Sequence, residues 1–169
     1  MINTLLSDFI SCWKMFNGKG FITDQEAAGQ INRGDCGLTA IAVSYVLRHK
    51  YGEAAEIHMN THHCWLVIPG KGEFDTLHPD GYKTPVKEVW DRQGGSDEQT
   101  LHFGEACAEW MPCDAHGGYL VKAFVERHGL PMPVELQHCI DSAAEYECPE
   151  AVPGLVTRYQ AALRVPVVV

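Results

Sequence analysis

The chain has 169 residues, of which 46% are hydrophobic and 21% charged, and 13 basic against 22 acidic residues give a formal net charge of −9. This composition is typical of one globular domain, and no apolar run reaches the ~20 residues needed to cross a bilayer. The acidic balance argues against broad contact with nucleic-acid phosphates. We therefore expect a single domain over 1–169, with neither a nucleic-acid nor a membrane partner.

The cysteines do not indicate a disulfide framework, because they are odd in number, irregular in spacing and without a C-x-x-C pair. The N-terminal segment has no basic start and no small-residue cleavage site of the kind that marks a secretory signal. We therefore expect reduced thiols and a cytoplasmic location. The seven cysteines are Cys12, Cys36, Cys64, Cys107, Cys113, Cys139 and Cys148.

Two helices are predicted in the first third of the chain. Leu5, Phe9, Trp13 and Phe16 form one apolar face at helical spacing, and residues 17–20 end that helix with turn residues. From Cys36 to about Tyr51 the apolar pattern is again helical. Gly34-Asp35 before it supplies a turn and an N-cap, and Gly52 after it a C-terminal stop. Cys36 is thus expected in the first turn of a substantial buried helix.

A β-hairpin is predicted after a polar loop. His63 to Ile68 alternates in polarity like a strand, residues 69–72 form a turn, and Glu73 to Leu77 returns as a second strand. In the C-terminal half, residues 91–100 read as an exposed loop. Helices are expected over Gly118–His128 and Leu155–Leu163, and a closing strand over Val165–Val169.

Cys36 is the first candidate for chemistry. A thiol is nucleophilic only as the thiolate, and the first turn of a helix favours negative charge through its free N–H groups. The neighbouring Gly34 and Gly37 allow close approach of backbone and substrate. The alternative is that Cys36 is a small buried residue that packs in the core.

His63 and Asp75 are the next candidates. In the predicted hairpin, residues whose numbers sum to about 138–141 lie opposite one another, which places Asp75 across from or diagonal to His63. A carboxylate in that position can hold an imidazole in one tautomer, and the imidazole can exchange a proton with a thiol. Asp80 in the following turn is an alternative partner for His63, and His62, His63 and Cys64 could instead form a weak metal site.

Gln30 completes the set, six positions before Cys36. A side-chain amide just ahead of a nucleophile can pair with the backbone N–H of Cys36 to bind the oxyanion of a tetrahedral intermediate. A solvated loop Gln is the alternative. A different reading of the C-terminal half is a zinc site formed by Cys107, Cys113 and His116 with Cys139 or His138.

The order Gln, Cys, His, Asp allows a resemblance to be named. Gln30-Ile-Asn-Arg-Gly-Asp-Cys36-Gly37 resembles the Gln-x5-Cys-Gly signature of papain-like cysteine peptidases, and the following helix is similar to the nucleophile helix of the bacteriocin-processing branch. His63-Cys-Trp65 followed by Phe-Asp75 resembles the His-Ala-Trp strand and subsequent Asp of transglutaminase-like proteins. The resemblance covers about residues 30–82, and the short interval between Cys36 and His63 implies an abbreviated lobe.

This resemblance implies an α+β, reduced papain-like fold, with a nucleophile helix packed on a small antiparallel sheet. It implies a catalytic core over about 25–82 and a C-terminal extension over 83–169. It further implies Cys36 as nucleophile, His63 as base and acid, Asp75 as orienting group and Gln30 as oxyanion donor.

The function expected from these roles is that of a cysteine peptidase or deamidase acting on a peptide or protein, with no cofactor and no metal. An acyltransferase or transglutaminase-like enzyme is one alternative. A non-catalytic protein of the same fold that neutralises a partner is the other. The sequence leaves the oligomeric state open.

Overall fold

The computed structural model of the protein describes residues 1–91, 97–110, 115–141 and 151–167. Eight helices and four strands are found there, in the order α1 Ile2–Phe16, α2 Asp24–Ile31, α3 Cys36–Tyr51, β1 Glu56–Met59, β2 Cys64–Ile68, β3 Gly72–Phe74, α4 Val86–Asp91, β4 Gln99–Leu101, α5 Phe103–Trp110, α6 Ala115–Arg127, α7 Val134–Asp141 and α8 Val152–Leu163. The mixed α and β architecture with a small antiparallel sheet agrees with the expected class.

The helix α3 lies at the centre of the molecule. Eleven of its 16 residues are buried, and it packs against α1, α5, α6, β1 and β2. A helix that is buried on nearly every side needs neighbours all round, and this explains why its apolar residues are not confined to one stripe. It ends as predicted at Gly52, which takes the left-handed conformation at φ 66°.

The sheet has the order β3-β2-β1-β4, and every neighbouring pair is antiparallel. In the β2–β3 hairpin Leu66 pairs with Phe74 and Val67 with Glu73, which is the register that the sequence predicts. The strand β3 is shorter than expected, since it ends at Phe74, and Asp75 follows it directly. Asp75 therefore leaves the ladder and lies diagonal to His63, which precedes β2.

Three sequence predictions about the sheet and the chain end need correction. The polar loop predicted before the hairpin contains β1, whose Ile57 pairs with Leu66 on one side and with Leu101 on the other. Part of the loop predicted over 91–100 is β4, while residues 92–96 lie outside the described part of the chain. Residues 165–167 do not form the predicted strand, and 168–169 are outside the described residues.

The helices α1, α6 and α8 pack on one another as a helical layer, and α1 and α6 of this layer also contact α3. Asp8 of α1 is fully buried in this layer. Its carboxylate accepts hydrogen bonds from Arg127 at 2.5 Å and from His128 at 3.0 Å, so α1 and the end of α6 are joined by buried charges. No helix within the described segments has both the length and the apolar character that crossing a bilayer requires.

Candidate active site

Cys36 is the first residue of α3 and is only 5% exposed. Asp35 occupies the N-cap position, as predicted, but its side chain does not cap the helix. Its carboxylate instead accepts a hydrogen bond from the indole Nε1 of Trp13 on α1, at 2.6 Å. The first-turn N–H groups of α3 are therefore left without a side-chain cap, and they offer positive partial charge at the sulfur.

His63 is held by a tight turn between β1 and β2. The Asn60 side chain accepts the backbone N–H of His63 at 2.8 Å, and the Asn60 backbone N–H donates to the His63 carbonyl at 2.9 Å. The imidazole is stacked on Trp65, two residues along the strand, with ring centroids 6.0 Å apart and 13° between the planes. Because backbone and ring are both fixed, His63 is preorganised rather than free to rotate.

The structure brings Cys36, His63 and Asp75 together. The Nε2 atom of His63 lies 2.9 Å from Oδ2 of Asp75, and Cys36 is close enough to the imidazole to raise its pKa. Since Nε2 faces Asp75, Nδ1 is the ring nitrogen left for the thiol. Both His63 and Asp75 are buried. These three residues form a relay from carboxylate to imidazole to sulfur, the arrangement used in nucleophilic catalysis.

Asp75 has more hydrogen-bond donors than a single partner would supply. Its Oδ2 accepts from Asn32 at 2.8 Å and from the hydroxyl of Tyr82, besides His63. Its Oδ1 accepts the backbone N–H groups of Leu77 and His78, each at 2.8 Å, and the His78 ring contributes a further contact at 3.1 Å. A buried carboxylate with so many donors stays ionised.

The pKa values of the pair follow from these contacts. Burial acts to lower the pKa of His63, but the hydrogen bonds and charges of Asp75 and Cys36 outweigh it and raise the pKa to about 9. Burial acts to raise the pKa of Asp75, and the hydrogen bonds from His63 and Tyr82 outweigh it and hold that pKa well below its usual range. The imidazole is therefore a cation at neutral pH, held between a carboxylate and a thiol.

Gln30 lies in the last turn of α2, and the contact that the structure gives it is with Lys19, whose Nζ donates to Oε1 at 2.6 Å. This contact does not bring Gln30 to Cys36. Its amide Nε2 is the end that could serve as a donor. The alternative orienting group, Asp80, is turned away from His63, because its Oδ1 accepts from Asn3 at 2.5 Å.

Sequence reasoning missed two members of the cluster, Asn32 and Tyr82. Asn32 follows α2 directly and looks like an ordinary turn residue, yet its side chain donates to Asp75 and accepts from Thr76 at 2.7 Å. Tyr82 follows the Asp80-Gly81 turn, and Gly81 takes φ 92°, a value that suits glycine. The Asp80-Gly81 turn is the one local signal in the sequence that the chain reverses direction there. This reversal brings the Tyr82 side chain back towards Asp75.

A cavity of about 650 Å³ opens beside the imidazole of His63. Residues of the α2–α3 turn and of the segment after β3 line it, among them Asn32, Arg33, His63, Leu77, Tyr82 and Lys83. Asn32 also borders a very small space of about 10 Å³ that lies against Cys36. Asn32 thus borders both the cavity and the small space against Cys36.

The other described thiols are in less reactive surroundings. Burial raises the pKa of Cys12 and of Cys107 to about 12, and it also raises the pKa of Cys64. Within the described segments no three His, Cys, Asp or Glu side chains are grouped as metal ligands, including His62, His63 and Cys64. Of the alternative zinc set, Cys113 lies outside those segments, as does Cys148 of the cysteine inventory.

Comparisons of the chain with protein-family models, with curated proteins and with solved structures find no match.

Proposed function

We propose that the protein is a thiol-dependent hydrolase of reduced papain-like architecture, a peptidase or deamidase with Cys36 as nucleophile. The observation that carries this proposal is that the His63 imidazole interacts with two groups. Its Nε2 atom lies 2.9 Å from the Asp75 carboxylate, and Cys36 also acts on the ring. The architecture is supported by a central helix that begins at the nucleophile and packs on an antiparallel sheet. The five described cysteines are free thiols, which suits a reducing compartment, and the proposal includes a cytoplasmic location.

The proposed reaction begins with attack of the Cys36 thiolate on the carbonyl carbon of an amide or ester. A C–S bond forms, and the carbonyl oxygen takes up negative charge beside the uncapped N–H groups of α3. We assign Gln30 the role of a second donor through Nε2, since its Oε1 is held by Lys19.

Breakdown of the tetrahedral intermediate cleaves the bond between the carbonyl carbon and the leaving group. The proton on Nδ1 of His63 passes to the departing amine, and the acyl group stays on sulfur as a thioester. Water then attacks the thioester while His63 takes up its proton, the C–S bond breaks, and the carboxylic acid leaves. Asp75 keeps the ring oriented throughout and stabilises the imidazolium.

The contact between His63 and Cys36 supports an enzyme over the alternative of a non-catalytic binding protein. A binding protein has no need to bury a charged histidine, because burial of a charge is costly unless it is paired. In this chain the paired groups include the thiol itself. A buried imidazolium next to a cysteine at an uncapped helix start is the arrangement that lowers a thiol pKa in catalytic sites.

The test is alkylation with iodoacetamide at pH 5, followed by peptide mass spectrometry. An ordinary thiol is almost wholly protonated at that pH, so we expect Cys36 to be modified ahead of the other six cysteines. His63→Ala should slow the modification of Cys36, while His49→Ala, at an exposed position near the end of α3, should leave it unchanged. Equal modification of all seven cysteines, or an inert Cys36, would contradict the proposal.

The acyl acceptor is tested separately with p-nitrophenyl acetate. With water as acceptor, release of nitrophenolate and of acetate should proceed at the same steady rate, and added glycine amide should not divert the acetyl group. Formation of acetylglycine amide in excess of the uncatalysed reaction would favour an acyltransferase. Cys36→Ala, which keeps the fold but lacks the sulfur, is the control for both products.

A further inference from the structure

The cavity beside His63 has a charge opposite to that of the chain. Among the described residues that line it none is acidic, while Arg33 and Lys83 are basic. The whole chain, by contrast, has 22 acidic residues against 13 basic ones. A cationic lining in an acidic protein concentrates positive potential at one place, where it acts on the ligand that enters.

Neither cation is neutralised by the part of the chain that the structure describes. Arg33 and Lys83 are exposed, and their side chains form no ion pair or hydrogen bond with the described residues. Other lysines differ in this respect: Lys14, Lys71 and Lys122 each lie against a carboxylate. The charges at the cavity are therefore available to a ligand.

Both cations are placed close to the catalytic groups along the chain. Arg33 lies in the turn three residues before Cys36, and Lys83 follows Tyr82, whose hydroxyl donates to Asp75. The carboxylate of Asp75 does not offset them, because its charge is balanced by the His63 imidazolium with which it pairs. An anionic group held by Arg33 and Lys83 would thus stand beside the bond that Cys36 attacks.

We infer that the cavity selects a peptide with an acidic side chain next to the bond attacked. This inference rests on the proposed function and names its substrate class. A guanidinium and an ammonium group can together bind a carboxylate. Without these two groups, the overall negative field of this acidic protein would repel an anionic ligand. Arg33 and Lys83 are specificity residues in this view and take no part in bond breaking.

The first test compares iodoacetate with iodoacetamide, two reagents of the same chemistry that differ in charge. The rate constant of iodoacetate at Cys36, divided by that of iodoacetamide, measures the local electrostatic potential. His63 is present in every variant compared, so its contribution to this ratio is constant. We expect the ratio to fall about threefold in Arg33→Gln or Lys83→Gln and roughly tenfold in the double variant, and to fall with added salt. Arg158→Gln and Lys50→Gln, at exposed positions on α8 and α3, are the matched controls.

The outcomes separate the two claims. A wild-type Cys36 that is inert to both reagents at pH 5 would overturn the proposed function. A reactive Cys36 whose rate ratio is the same in the double variant, or falls equally in the controls, would overturn the inference alone.

A second measurement does not depend on reactivity. In Cys36→Ala, acetyl-Ala-Glu-Ala-amide should shift the backbone amide resonances of Arg33 and Lys83, and acetyl-Ala-Gln-Ala-amide at the same concentration should not. Equal shifts with the two peptides would show that the cavity does not select for charge.

Discussion

Asn32 donates a hydrogen bond from Nδ2 to Oδ2 of Asp75 at 2.8 Å and so ties the turn before Cys36 to the residue after β3. This hydrogen bond links the segment that leads into Cys36 to the segment that contains Asp75. The acceptor of this hydrogen bond is an ionised and buried carboxylate. Removing the bond should therefore lower the free energy of unfolding more than removing a hydrogen bond between exposed side chains.

Asn32→Ala should therefore lower the free energy of unfolding by about 1.5 kcal/mol, the lower end of the range for a hydrogen bond to a charged group, since Asp75 keeps its other donors. Urea unfolding measures the change. Asn3→Ala, which removes an exposed bond to Asp80, is the matched control and should change stability by less than about 0.5 kcal/mol. Equal losses in the two variants would show that the bond to Asp75 adds nothing.

The raised pKa of His63 makes stability depend on pH. The folded-state pKa of about 9 lies above the ordinary value of 6.5, so the protonated ring stabilises the fold fully below pH 6.5, and this contribution is lost as pH rises through 9. The whole shift corresponds to at most about 3–4 kcal/mol.

Asp75→Asn should remove this dependence, because burial then acts on His63 without the opposing carboxylate. We expect the His63 pKa, followed by NMR of 13C-labelled histidine, to fall well below 9 in that variant. Unfolding free energies measured between pH 6 and 8, below the range in which the thiols of the unfolded chain lose their protons, should decline for the wild type and stay nearly level for Asp75→Asn. A variant that keeps the wild-type slope would assign the pH dependence to another group.

Gln30 can be tested by a reaction that has no oxyanion. Acyl transfer builds negative charge on a carbonyl oxygen, whereas alkylation by iodoacetamide does not. If Gln30 is a donor, Gln30→Ala should lower p-nitrophenyl acetate hydrolysis by roughly 10²-fold and leave the alkylation rate of Cys36 unchanged. Gln25→Ala, exposed on the same helix, is the control. A parallel fall in both reactions would instead mean that Gln30 only supports the turn before Cys36.

Trp13 should influence the thiol through Asp35. In Trp13→Phe the ring is kept but the N–H donor to Asp35 is lost, and the freed carboxylate can accept the first-turn N–H groups of α3. A negative charge next to Cys36 repels the thiolate, so alkylation at pH 5 should slow about threefold or more. Adding Asp35→Asn removes that charge and should restore most of the rate. An unchanged rate in Trp13→Phe would exclude this role for the indole.

The buried charges at Asp8 should affect stability without affecting the site. Asp8→Asn leaves the Arg127 guanidinium buried without its counter-charge, and the expected loss is about 3–5 kcal/mol. Asp24→Asn, which breaks an exposed pair with Lys14, should cost no more than about 1 kcal/mol. Thermal or urea unfolding measures both. Alkylation of Cys36 in the folded Asp8→Asn protein should proceed at the wild-type rate.

The parts of the site that the sequence predicted are those fixed by local rules. The helix that starts at Cys36 follows from its apolar pattern and from Gly52, and the meeting of His63 with Asp75 follows from the register of a hairpin with a short turn. In both cases the distance along the chain is short, so periodicity and turn chemistry decide the outcome.

The parts that were missed depend on contacts between distant segments. Asn32 and Asp75 are 43 positions apart, and nothing near Asn32 in the sequence indicates which side chain it will meet. The sequence predicts a loop where β1 lies, because Glu56 and His58 give this segment a polar pattern. Those residues occupy one side of the strand, while Ile57 on the other is buried by pairing with β2 and β4. Only the assembled sheet distinguishes such a strand from a loop.

The hydrogen bond between Trp13 and Asp35 also bears on how small a working enzyme could be made. A fragment cut to residues 25–82 would contain every residue of the proposed relay, and its sequence would look complete. It would lack the indole of Trp13, which restrains the carboxylate next to the sulfur from a position well upstream of Cys36. If Cys36 is the nucleophile that we propose, the functional unit starts within α1, before the stretch that carries the proposed catalytic residues.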